Sequence, residues 1–401
     1  MPAEVYVRAR FAAYDARPAL SVALVHDYLN QRGGAERVFA HIARAWPEAP
    51  VYTALYDERL CGDFVAANRV HTSFLQHVPL GNRVFRALAP FYPAAFESFD
   101  LSAYNLVISS TTAWAKGVRT APGAVHVCYI NTPSRFLFAY DRYVGGFGMR
   151  TIARPLIASL AAWDRRAALR PTAFIANSRN VAERVRRYYG REAFVLPCPA
   201  DVDRFTLGSG EGDYFLVLSR LLPYKAIDRA IDAAALAGVK LRVAGSGPAL
   251  EALRAHARGT TTEVLGYVPD EQINALVGAA RAVIVPGEED FGLVPLEAAA
   301  AGRPAIALRA GGALETIQSG VTGVFFDEPN ADSLAQVLKE FEPSRFDSHR
   351  LRAHAEQFSP ARFIGRLRAM VGEIAQRSEN GARRFIAPSE AESSDSERAQ
   401  A

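Results

Sequence analysis

The chain has 401 residues, half of them hydrophobic, with 46 basic and 42 acidic side chains and a formal net charge of +4. This length predicts two domains, and so small a charge does not indicate nucleic-acid binding. The three cysteines form no C-x-x-C pair, which argues against a zinc site and favours a reducing compartment. Because no run approaches the ~18 apolar residues of a membrane span, we expect a soluble or peripherally attached protein.

Strand and helix patterns alternate from residue 20 onward, and residues 1–19 are predicted to be an N-terminal extension. A helix, QRGGAERVFAHIARAWP, follows the first apolar run, and RNVAERVRRYYG predicts another. Six runs predict the strands of the first half: LSVALVHDY, VYTALYD, NLVISS, VHVCYIN, FIANS and FVLPCP. Such alternation predicts a doubly wound parallel sheet.

A Pro-, Gly- and Asp-rich piece, PCPADVDRFTLGSGEGD, marks the boundary to a second unit with the same alternation. Its strands are predicted by YFLVLSR, KLRVAGSG, TEVLGYV, RAVIVPG, PAIAL and GVFF. We therefore predict two Rossmann-like domains, over residues 20–197 and 198–356, a helix over 357–379 and a disordered tail over 380–401. Their shared cleft is expected at the carboxyl ends of both sheets.

The stretch PGEEDFGLVPLEAAAAGRP combines a strand end, a cluster of acids and a helix start. Free amides around Phe291–Leu293 at a helix N-terminus form an anion site suited to a diphosphate. Glu289 and Glu297 are eight residues apart, and both can hold the hydroxyls of one ligand. The alternative for Glu297 is a stabilising acid in the first helical turn. Glu288 and Asp290 are interpreted as a solvated loop.

Two further stretches carry candidate ligand-binding residues. SRLLPYKAID places Arg220 after a strand and Lys225 five residues later. The chain has 42 arginines and only 4 lysines, so Lys225 can mark a site that needs a compact ammonium, such as a phosphate site. A surface lysine at a helix start is the alternative. Gly33 and Gly34, after the first strand, either let the backbone approach a ligand or form an ordinary turn.

Several other enzyme classes are disfavoured. AGSGPALEAL contains G-x-G, but Leu250 stands where a dinucleotide fingerprint needs its third glycine, which argues against a nicotinamide dehydrogenase. The sequence has no H-E-x-x-H motif, no G-x-S-x-G elbow and no P-loop, and its histidines show no metal-ligand spacing.

In combination, these motifs resemble the retaining GT-B glycosyltransferases of family 4, and within them the bacterial mannosyltransferase-like group. The resemblance runs from about Leu20 to Phe363 and rests on VHDYLNQRGGAERV, FDLSAYNLVISS, AKGV, FIANSRNVAERVRRYYGRE, DVDRF, SRLLPYKAID, AGSGP and PGEEDFGLVPLEAAAAGRPAIALRAGGALETI. It implies an acceptor-side first domain, a nucleotide-sugar-binding second domain and a last helix that crosses back to the first. It also implies transfer of a hexose with retention of configuration, GDP-mannose as the donor, and no metal or other cofactor.

The resemblance also implies roles for individual residues. Lys225 and Arg220 would hold the donor diphosphate, Glu289 the sugar hydroxyls and Glu297 the ribose. With Asn131, the first three of these would be the catalytic residues. The implied donor-binding positions are Gly33, Gly34, Arg220, Lys225, Tyr267, Val268, Glu289, Phe291, Gly292, Leu293 and Glu297. Tyr267 and Val268 among them would lie beside the base.

One position departs from the family pattern. Where this group usually has a histidine before T-P, the chain reads Asn131 in CYINTPSRF. Asparagine can hydrogen-bond a hydroxyl but carries neither a proton nor a charge near neutral pH. Three alternatives therefore stay open: a UDP-sugar donor, a sugar-nucleotide epimerase of the same fold, and a non-catalytic homologue that binds a sugar nucleotide.

Two segments bear on the acceptor. From Ser134 to Arg191 the chain has 12 arginines, no lysine and three acids, which fits either a solvated helix face or a surface for anionic lipid. HTSFLQHVPLGNRVFRALAPFYPAAFESF can lie in a membrane interface or pack on its own domain. With the resemblance, these segments predict a lipid-linked saccharide acceptor in exopolysaccharide or O-antigen assembly. We expect a cytoplasmic protein that contacts the anionic inner face of the plasma membrane.

Overall fold

The computed structural model describes residues 21–138, 147–208 and 212–379. The predicted extension over 1–19 and the predicted tail over 380–401 lie outside the described residues.

The first sheet has seven parallel strands in the order β3-β2-β1-β4-β5-β6-β7. Their bounds are β1 Val22–His26, β2 Val51–Thr53, β3 Val70–Thr72, β4 Leu106–Thr111, β5 Val125–Ile130, β6 Ala173–Ala176 and β7 Ala193–Val195. Every residue of β4 and β5 is buried, as expected for parallel strands covered on both faces by helices. We call this sheet and the helices packed on it the first lobe.

The second sheet has six parallel strands in the order β10-β9-β8-β11-β12-β13, and all six were predicted from the sequence. Their bounds are β8 Tyr214–Leu218, β9 Lys240–Ala244, β10 Thr262–Gly266, β11 Val283–Val285, β12 Ala305–Leu308 and β13 Gly323–Phe326. This sheet and its helices form the second lobe.

Fifteen α-helices lie in the described ranges. In the first half they are α1 Gly34–Ala45, α2 Glu58–Cys61, α3 Gly81–Val84, α4 Tyr92–Glu97, α5 Arg135–Phe138, α6 Phe147–Ala167 and α7 Arg179–Tyr189. In the second half they are α8 Ile227–Ala237, α9 Leu250–His256, α10 Asp270–Ala279, α11 Leu293–Ala300, α12 Ala313–Thr316, α13 Ala331–Glu340, α14 Ser348–Glu356 and α15 Pro360–Glu379. Short 3₁₀ turns occur at Ala67–Arg69, Phe74–His77, Phe85–Phe91, Ala115–Gly117, Val202–Arg204, Pro223–Lys225 and Pro343–Arg345.

The last helix, α15, lies on the first lobe. The ring of Phe363 meets the ring of Tyr129 on β5 edge to face, with centroids 5.6 Å apart. Arg368 Nε donates to the carbonyl of Ala45, at the end of α1, at 2.8 Å. One hydrophobic cluster therefore continues through both lobes, from α1 of the first lobe to Leu296 on α11 and Leu367 on α15. Each lobe also has a separate hydrophobic cluster, built only from its own residues.

The strand order fixes where a ligand can bind. In the first sheet the order reverses between β1 and β4, and in the second it reverses between β8 and β11. Ligands of open α/β sheets bind outside the carboxyl ends of the strands at such switch points. The loops that follow β8 and β11 carry Lys225 and Glu289, so the topology predicts that these two residues meet.

The G-x-G pair has a structural explanation. Gly245 and Gly247 adopt positive φ angles, and a Cβ at Gly245 would lie 1.8 Å from the carbonyl oxygen of Ser219. Only glycine therefore allows the turn after β9 to pack against the turn after β8, so the pair serves backbone packing.

Candidate active site

Lys225 and Glu289 meet at the second switch point. Glu289 belongs to the acidic loop, which we define as Gly287–Gly292 between β11 and α11. Lys225 Nζ lies 2.6 Å from both carboxylate oxygens of Glu289. A Cβ at Gly287 would lie 2.9 Å from the carbonyl oxygen of Lys225, so glycine is needed where the two loops touch. The structure thus pairs Lys225 with Glu289 at the carboxyl end of the second sheet.

The N-terminus of α11 faces the glycine pair of the first lobe. Gly292 caps α11 with a φ of +97°, which favours glycine, and Leu293 begins the helix. A Cβ at Gly34 would lie 3.6 Å from Leu293 Cδ1, so the two turns are in contact range across the cleft. Gly33 caps α1 with extended backbone. The unpaired amides of both helix starts therefore lie close together, where they favour an anion.

Glu297 is not a first-turn acid, so that alternative is wrong. It is the fifth residue of α11, because the helix begins at Leu293, and its side chain is only 16% exposed. Arg37 Nη1 on α1 lies 3.9 Å from Glu297 Oε1, and Arg37 Nη2 lies 3.4 Å from both oxygens of Asp270. Burial raises the pKa of Glu297, while the positive charge of Arg37 opposes that rise. Glu297 thus presents a carboxylate at the lobe boundary.

The remaining donor-side positions line the same side of the cleft. Arg220 is exposed beyond β8. Burial raises the pKa of Tyr28 of the first lobe, and the positive charge of Arg220 opposes that rise in small part. Tyr267 and Val268 follow β10; Tyr267 is 73% exposed and Val268 is half-buried against the core. A pocket of about 440 Å³ opens nearby, lined by Arg32, Arg37, Arg44, Asp63, Phe64, Asp201, Asp203, Arg204, Asp270 and Pro360.

Asn131 lies at the carboxyl end of β5 and is 7% exposed. Its Nδ2 lies 3.3 Å from Ser110 Oγ and 3.4 Å from the carbonyl of Thr111, both at the end of β4. Its own carbonyl accepts from Asn177 Nδ2 at 2.9 Å. The amide therefore holds the ends of β4 and β5 together at the base of the cleft.

His26 and Asp27, at the end of β1, contact the same strand ends. Asp27 is buried and accepts six hydrogen bonds from side-chain and backbone groups of residues 111–115. His26 Nδ1 lies 3.0 Å from the carbonyl of Ser110, and burial lowers the pKa of this histidine. Both residues thus shape the first switch point from inside the lobe.

Glu288 and Asp290 are not a solvated loop, so this prediction is wrong. Arg184 Nη2 on α7 lies 2.6 Å from Glu288 Oε1. Asp290 Oδ1 accepts from Arg135 Nη2 at 2.5 Å and also from Arg184 Nη1. The physical reason is that the first lobe closes over the acidic loop and supplies arginines about 100 to 155 residues away in sequence, which local patterns do not reveal.

Glu315 is a contact that the sequence reasoning missed. It lies on α12 of the second lobe, and its two oxygens accept from the backbone amides of Arg179, at 2.9 Å, and Asn180, at 3.1 Å, at the start of α7. Gly311, with a φ of +62°, brings α12 against the acidic loop, because a Cβ there would lie 2.5 Å from the carbonyl oxygen of Glu289. The glycine pair before an acid in RAGGALETI was the available signal.

Five of the twelve arginines of the arginine-rich stretch, all among the described residues, contact other groups of the protein. Arg170 pairs with Glu97, Arg186 pairs with Glu183, and Arg191 donates to three backbone carbonyls. With Arg135 and Arg184 bound to the acidic loop, five of its arginines are used internally. Among the residues that the structure describes, no three His, Cys, Asp or Glu side chains are arranged to hold a metal ion. Within the same described ranges, none of the helices is both long and apolar enough to cross a membrane.

Two family models match successive parts of the chain. The model described as Glycosyltransferase Family 4 matches residues 32–204, and the model described as Glycosyl transferases group 1 matches residues 200–358. Together they cover residues 32–358, which include all the predicted donor-binding positions and Asn131.

Curated relatives match about half of their own length. A D-inositol 3-phosphate glycosyltransferase of Geodermatophilus obscurus is 30% identical over 246 residues, which are 53% of this chain and 55% of the relative. A GDP-mannose-dependent alpha-(1-6)-phosphatidylinositol monomannoside mannosyltransferase of Mycobacterium tuberculosis is 35% identical over 174 residues, which are 36% of this chain and 45% of the relative.

Solved structures match the whole fold at low identity. Anabaena Alr3699/HepE in complex with UDP superimposes with a TM-score of 0.65 at 19% identity, covering 88% of this chain and all of that one. Sucrose-phosphate synthase from Thermosynechococcus elongatus gives a TM-score of 0.67 at 16% identity, covering 89% and 99%. These likenesses establish the two-lobed GT-B fold. The two family models, which together match residues 32–358, show that the chain belongs to the family 4 glycosyltransferases.

Proposed function

We propose that the protein is a retaining hexosyltransferase that moves mannose from GDP-mannose to a lipid-linked saccharide in polysaccharide or O-antigen assembly. The observation that carries this proposal is the convergence of four features in one cleft. They are the Lys225–Glu289 pair, the start of α11, the half-buried Glu297 and the glycine pair of the first lobe. These groups can bind the diphosphate, the sugar hydroxyls and the ribose hydroxyls of a nucleotide sugar.

The proposed chemistry places the charge of the leaving group on Arg220, Lys225 and the amides of Phe291–Leu293. The acceptor hydroxyl attacks C1 of the donor sugar on the face from which the phosphate leaves, and the bond between C1 and the phosphate oxygen breaks. The departing phosphate takes the proton of the hydroxyl, so the products are the glycoside and the nucleoside diphosphate. Glu289 then positions the sugar, and Asn131 hydrogen-bonds a hydroxyl at the base of the cleft.

We propose that these positive groups suffice without a metal ion or other cofactor. Excess EDTA should then leave the initial rate unchanged in a donor-turnover assay. A rate that EDTA abolishes and added Mg²⁺ restores would contradict this part of the proposal.

The donor assignment is tested by a thermal-shift panel. The family resemblance supports GDP-mannose, and so does the M. tuberculosis relative, which is named a GDP-mannose-dependent mannosyltransferase. At a concentration 100 times its Kd, the right donor stabilises the fold by about 2.7 kcal/mol. We expect GDP-mannose to give the largest shift among GDP- and UDP-hexoses. A larger shift with a UDP-hexose would transfer the assignment to that donor, and no shift with any nucleotide sugar would overturn the transferase proposal.

Asn131 favours one further candidate, a homologue that binds a sugar nucleotide without transferring the sugar. In the structure this amide is occupied with Ser110 and Thr111, and it offers no titratable proton. Turnover decides between the two functions. Release of GDP from GDP-mannose, dependent on a lipid-linked acceptor extract, is the result that transfer requires, while donor binding without any GDP release identifies a binder.

The acceptor proposal draws on an exposed apolar surface of the first lobe, which we define as Phe74, Leu80, Val84 and Phe91. Leu80 is 65% exposed and Phe91 55% exposed. Leu80 also has a φ of +57°, a strained conformation for leucine, at the tip between a 3₁₀ turn and α3. The chain has no acid between Asp63 and Glu97, whereas Arg83 and Arg86 are exposed beside the apolar side chains.

The apolar surface lies near the acceptor side of the cleft. The ring of Phe85 packs edge to face on Tyr28, with centroids 4.9 Å apart, and Asn30 Nδ2 donates to the carbonyl of Asn82 at 3.1 Å. Tyr28 and Asn30 follow β1 directly, so the surface rests on the carboxyl ends of the strands. We propose that it enters the anionic inner leaflet of the plasma membrane, which brings a lipid-linked acceptor to the first lobe.

A further inference from the structure

Asp290 is bound by the opposite lobe. It belongs to the second lobe, yet its Oδ1 accepts from Arg135 Nη2 at 2.5 Å, from Arg184 Nη1, and from Thr132 Oγ1 at 3.3 Å. Its side chain is 24% exposed, so these charges meet in a partly desolvated boundary. Removing one member of such a group weakens the contact between the two lobes.

The backbone of the acidic loop is bound by the same lobe. Ser178 Oγ donates to the carbonyl of Asp290 at 2.7 Å, and Asn180 Nδ2 donates to the carbonyl of Glu289 at 3.2 Å. The Glu289 side chain contacts Lys225 within its own lobe. Gly312 of the second lobe also donates its amide to the carbonyl of Glu289, at 2.9 Å. The loop is therefore bound by both lobes, and the contacts of Ser178 and Asn180 exist only while the lobes are together.

Two of the groups that hold Asp290, Thr132 and Arg135, come from the turn that carries Asn131. Thr132 follows Asn131 directly, and Arg135 begins α5 three residues later. Ser134 Oγ, between them, donates at 3.1 Å to the buried Asp164, which also pairs with the buried Lys116 at 2.5 Å. These contacts anchor the turn to the core of the first lobe. We therefore expect that a movement of the turn also moves the groups that bind Asp290.

We infer that Asp290 is a positioning residue that couples the acidic loop of the second lobe to the Asn131–Arg135 turn of the first lobe. It aligns Glu289 against the donor sugar only when the Asn131–Arg135 turn of the first lobe is docked on the acidic loop. This inference rests on the proposed transferase function for its consequence in catalysis, while the coupling itself is a property of the lobes. Asp290 carries no assigned contact with the donor, so its effect should fall on the chemical step and not on donor affinity.

The test uses Asp290→Asn, which preserves size and removes the charge. We expect kcat to fall by about 10- to 100-fold, the effect of a small misplacement of a reacting group, while the donor Kd from calorimetry changes less than about 3-fold. The matched control is Glu288→Gln, which removes an ion pair of the same loop with Arg184 but leaves Asp290 in place. It should change kcat less than about 2-fold, because this partly exposed ion pair involves α7 and not the Asn131–Arg135 turn.

The arginine partners give a second, graded measurement. Arg135→Gln and Arg184→Gln each leave Asp290 one guanidinium and should each lower kcat less than Asp290→Asn does. The double variant should reproduce Asp290→Asn, and adding Asp290→Asn to it should cause no further loss. Additive losses would overturn the inference, because they would mean that Asp290 acts independently of the first lobe.

A measurement without turnover separates this inference from the proposed function. In small-angle X-ray scattering of the unliganded protein, Asp290→Asn should open the cleft and increase the radius of gyration, whereas Glu288→Gln should not. If the wild type turns over no donor, the transferase proposal fails, but the scattering result still tests the coupling. An Asp290→Asn variant with wild-type kcat and wild-type scattering, or one that loses donor affinity in proportion to kcat, overturns it.

Discussion

At the scale of single residues, we propose that Lys225 serves two partners. Its ammonium neutralises Glu289 through both oxygens, and the proposed diphosphate would share the same three donor hydrogens. Arginine's planar fork would fit less well between a carboxylate and a phosphate in this space. The lysine therefore compensates the charge of Glu289 at the carboxyl end of the second sheet.

We predict that Lys225→Ala weakens donor binding by about 10- to 100-fold, the loss expected for a hydrogen bond to a charged group of about 1.5 to 3 kcal/mol. Calorimetric titration with the best donor of the panel measures this change. Lys240→Ala is the matched control, because Lys240 lies in the same lobe and its exposed ammonium pairs with Asp213. Equal donor affinity in wild type and Lys225→Ala would remove Lys225 from the diphosphate site.

Glu297 gives a prediction about pH. Burial raises its pKa above the ordinary 4.5, so as the pH falls the carboxylate takes up its proton before an exposed glutamate does. We expect donor affinity to decrease as the pH falls through this raised pKa, because a protonated acid accepts ribose hydroxyls less well. Glu297→Gln should bind the donor weakly at neutral pH and lose this pH dependence.

Stability supplies the control for that variant. A carboxyl with a raised folded pKa favours the fold below pH 4.5, and that contribution disappears as the pH rises through the folded pKa. Removing its charge should therefore not lower Tm at pH 7. A pH profile of donor affinity that is the same in wild type and Glu297→Gln would show that another group titrates.

The sequence could predict which residues share the cleft but not what holds them. Glu289, Glu297 and Lys225 follow strand ends whose positions are readable from local patterns, and the sheet order then brings them into one cleft. The partners of Asp290 and Glu288 lie on the other lobe, so their acids read as ordinary loop residues. The distinction depends on domain closure, which no local pattern encodes.

At the scale of elements, α7 begins with two caps from different lobes. Ser178 Oγ accepts from the amide of Val181 at 3.0 Å, and Glu315 of the second lobe accepts from the first two amides of the helix. The negative charge of this carboxylate also interacts favourably with the positive end of the helix dipole. The helix start is thus complete only when the lobes are together.

We predict that Glu315→Ala lowers the free energy of unfolding by about 1 kcal/mol, the usual value of a lost N-terminal cap. Urea denaturation followed by circular dichroism measures it. Glu328→Ala, an exposed acid of the same lobe, is the control and should change stability by less than about 0.5 kcal/mol. If both variants are equally stable, the contact of Glu315 with α7 contributes nothing in solution.

The strands show where local patterns suffice and where they fail. Twelve of the thirteen strands coincide with apolar, β-branched runs that the sequence reveals. The exception, β3, has only three residues, Val70–Thr72, none of them buried, and it pairs at the edge of the first sheet with β2. An edge strand of this length has no periodic signal, because its backbone pairing and not its side chains holds it in place.

At the scale of the whole molecule, the apolar surface and the cleft lie at the same end of the first lobe. We predict binding to vesicles that contain phosphatidylglycerol and weak binding to neutral phosphatidylcholine vesicles, since Arg83 and Arg86 flank the surface. Leu80→Ser/Phe91→Ser should lower the vesicle partition coefficient by about 100-fold or more, at about 1.5 to 3 kcal/mol for each buried side chain.

Vesicle sedimentation measures this change, and Leu236→Ser, which alters an exposed leucine of the second lobe, is the control. Equal sedimentation of wild type and the double variant would rule out the apolar surface as the membrane contact. Concentration-dependent self-association that the double variant abolishes would instead identify a second copy of the chain as its partner.

The position of α15 on the first lobe has a consequence for synthesis. Phe363, Leu367, Val371 and Ile374 complete a core whose strands end at Val195, so the lobe that the ribosome makes first finishes folding last. At ordinary translation rates the nascent first lobe waits on the order of ten to thirty seconds for this helix. Ribosome-bound chains stalled before residue 360 should be cut by protease within the first lobe, whereas chains released at full length should resist. The second lobe is thus synthesised after the strands of the first lobe and before the helix that completes its core. A chaperone that shields the uncovered face of β5 and α1 would act during that interval.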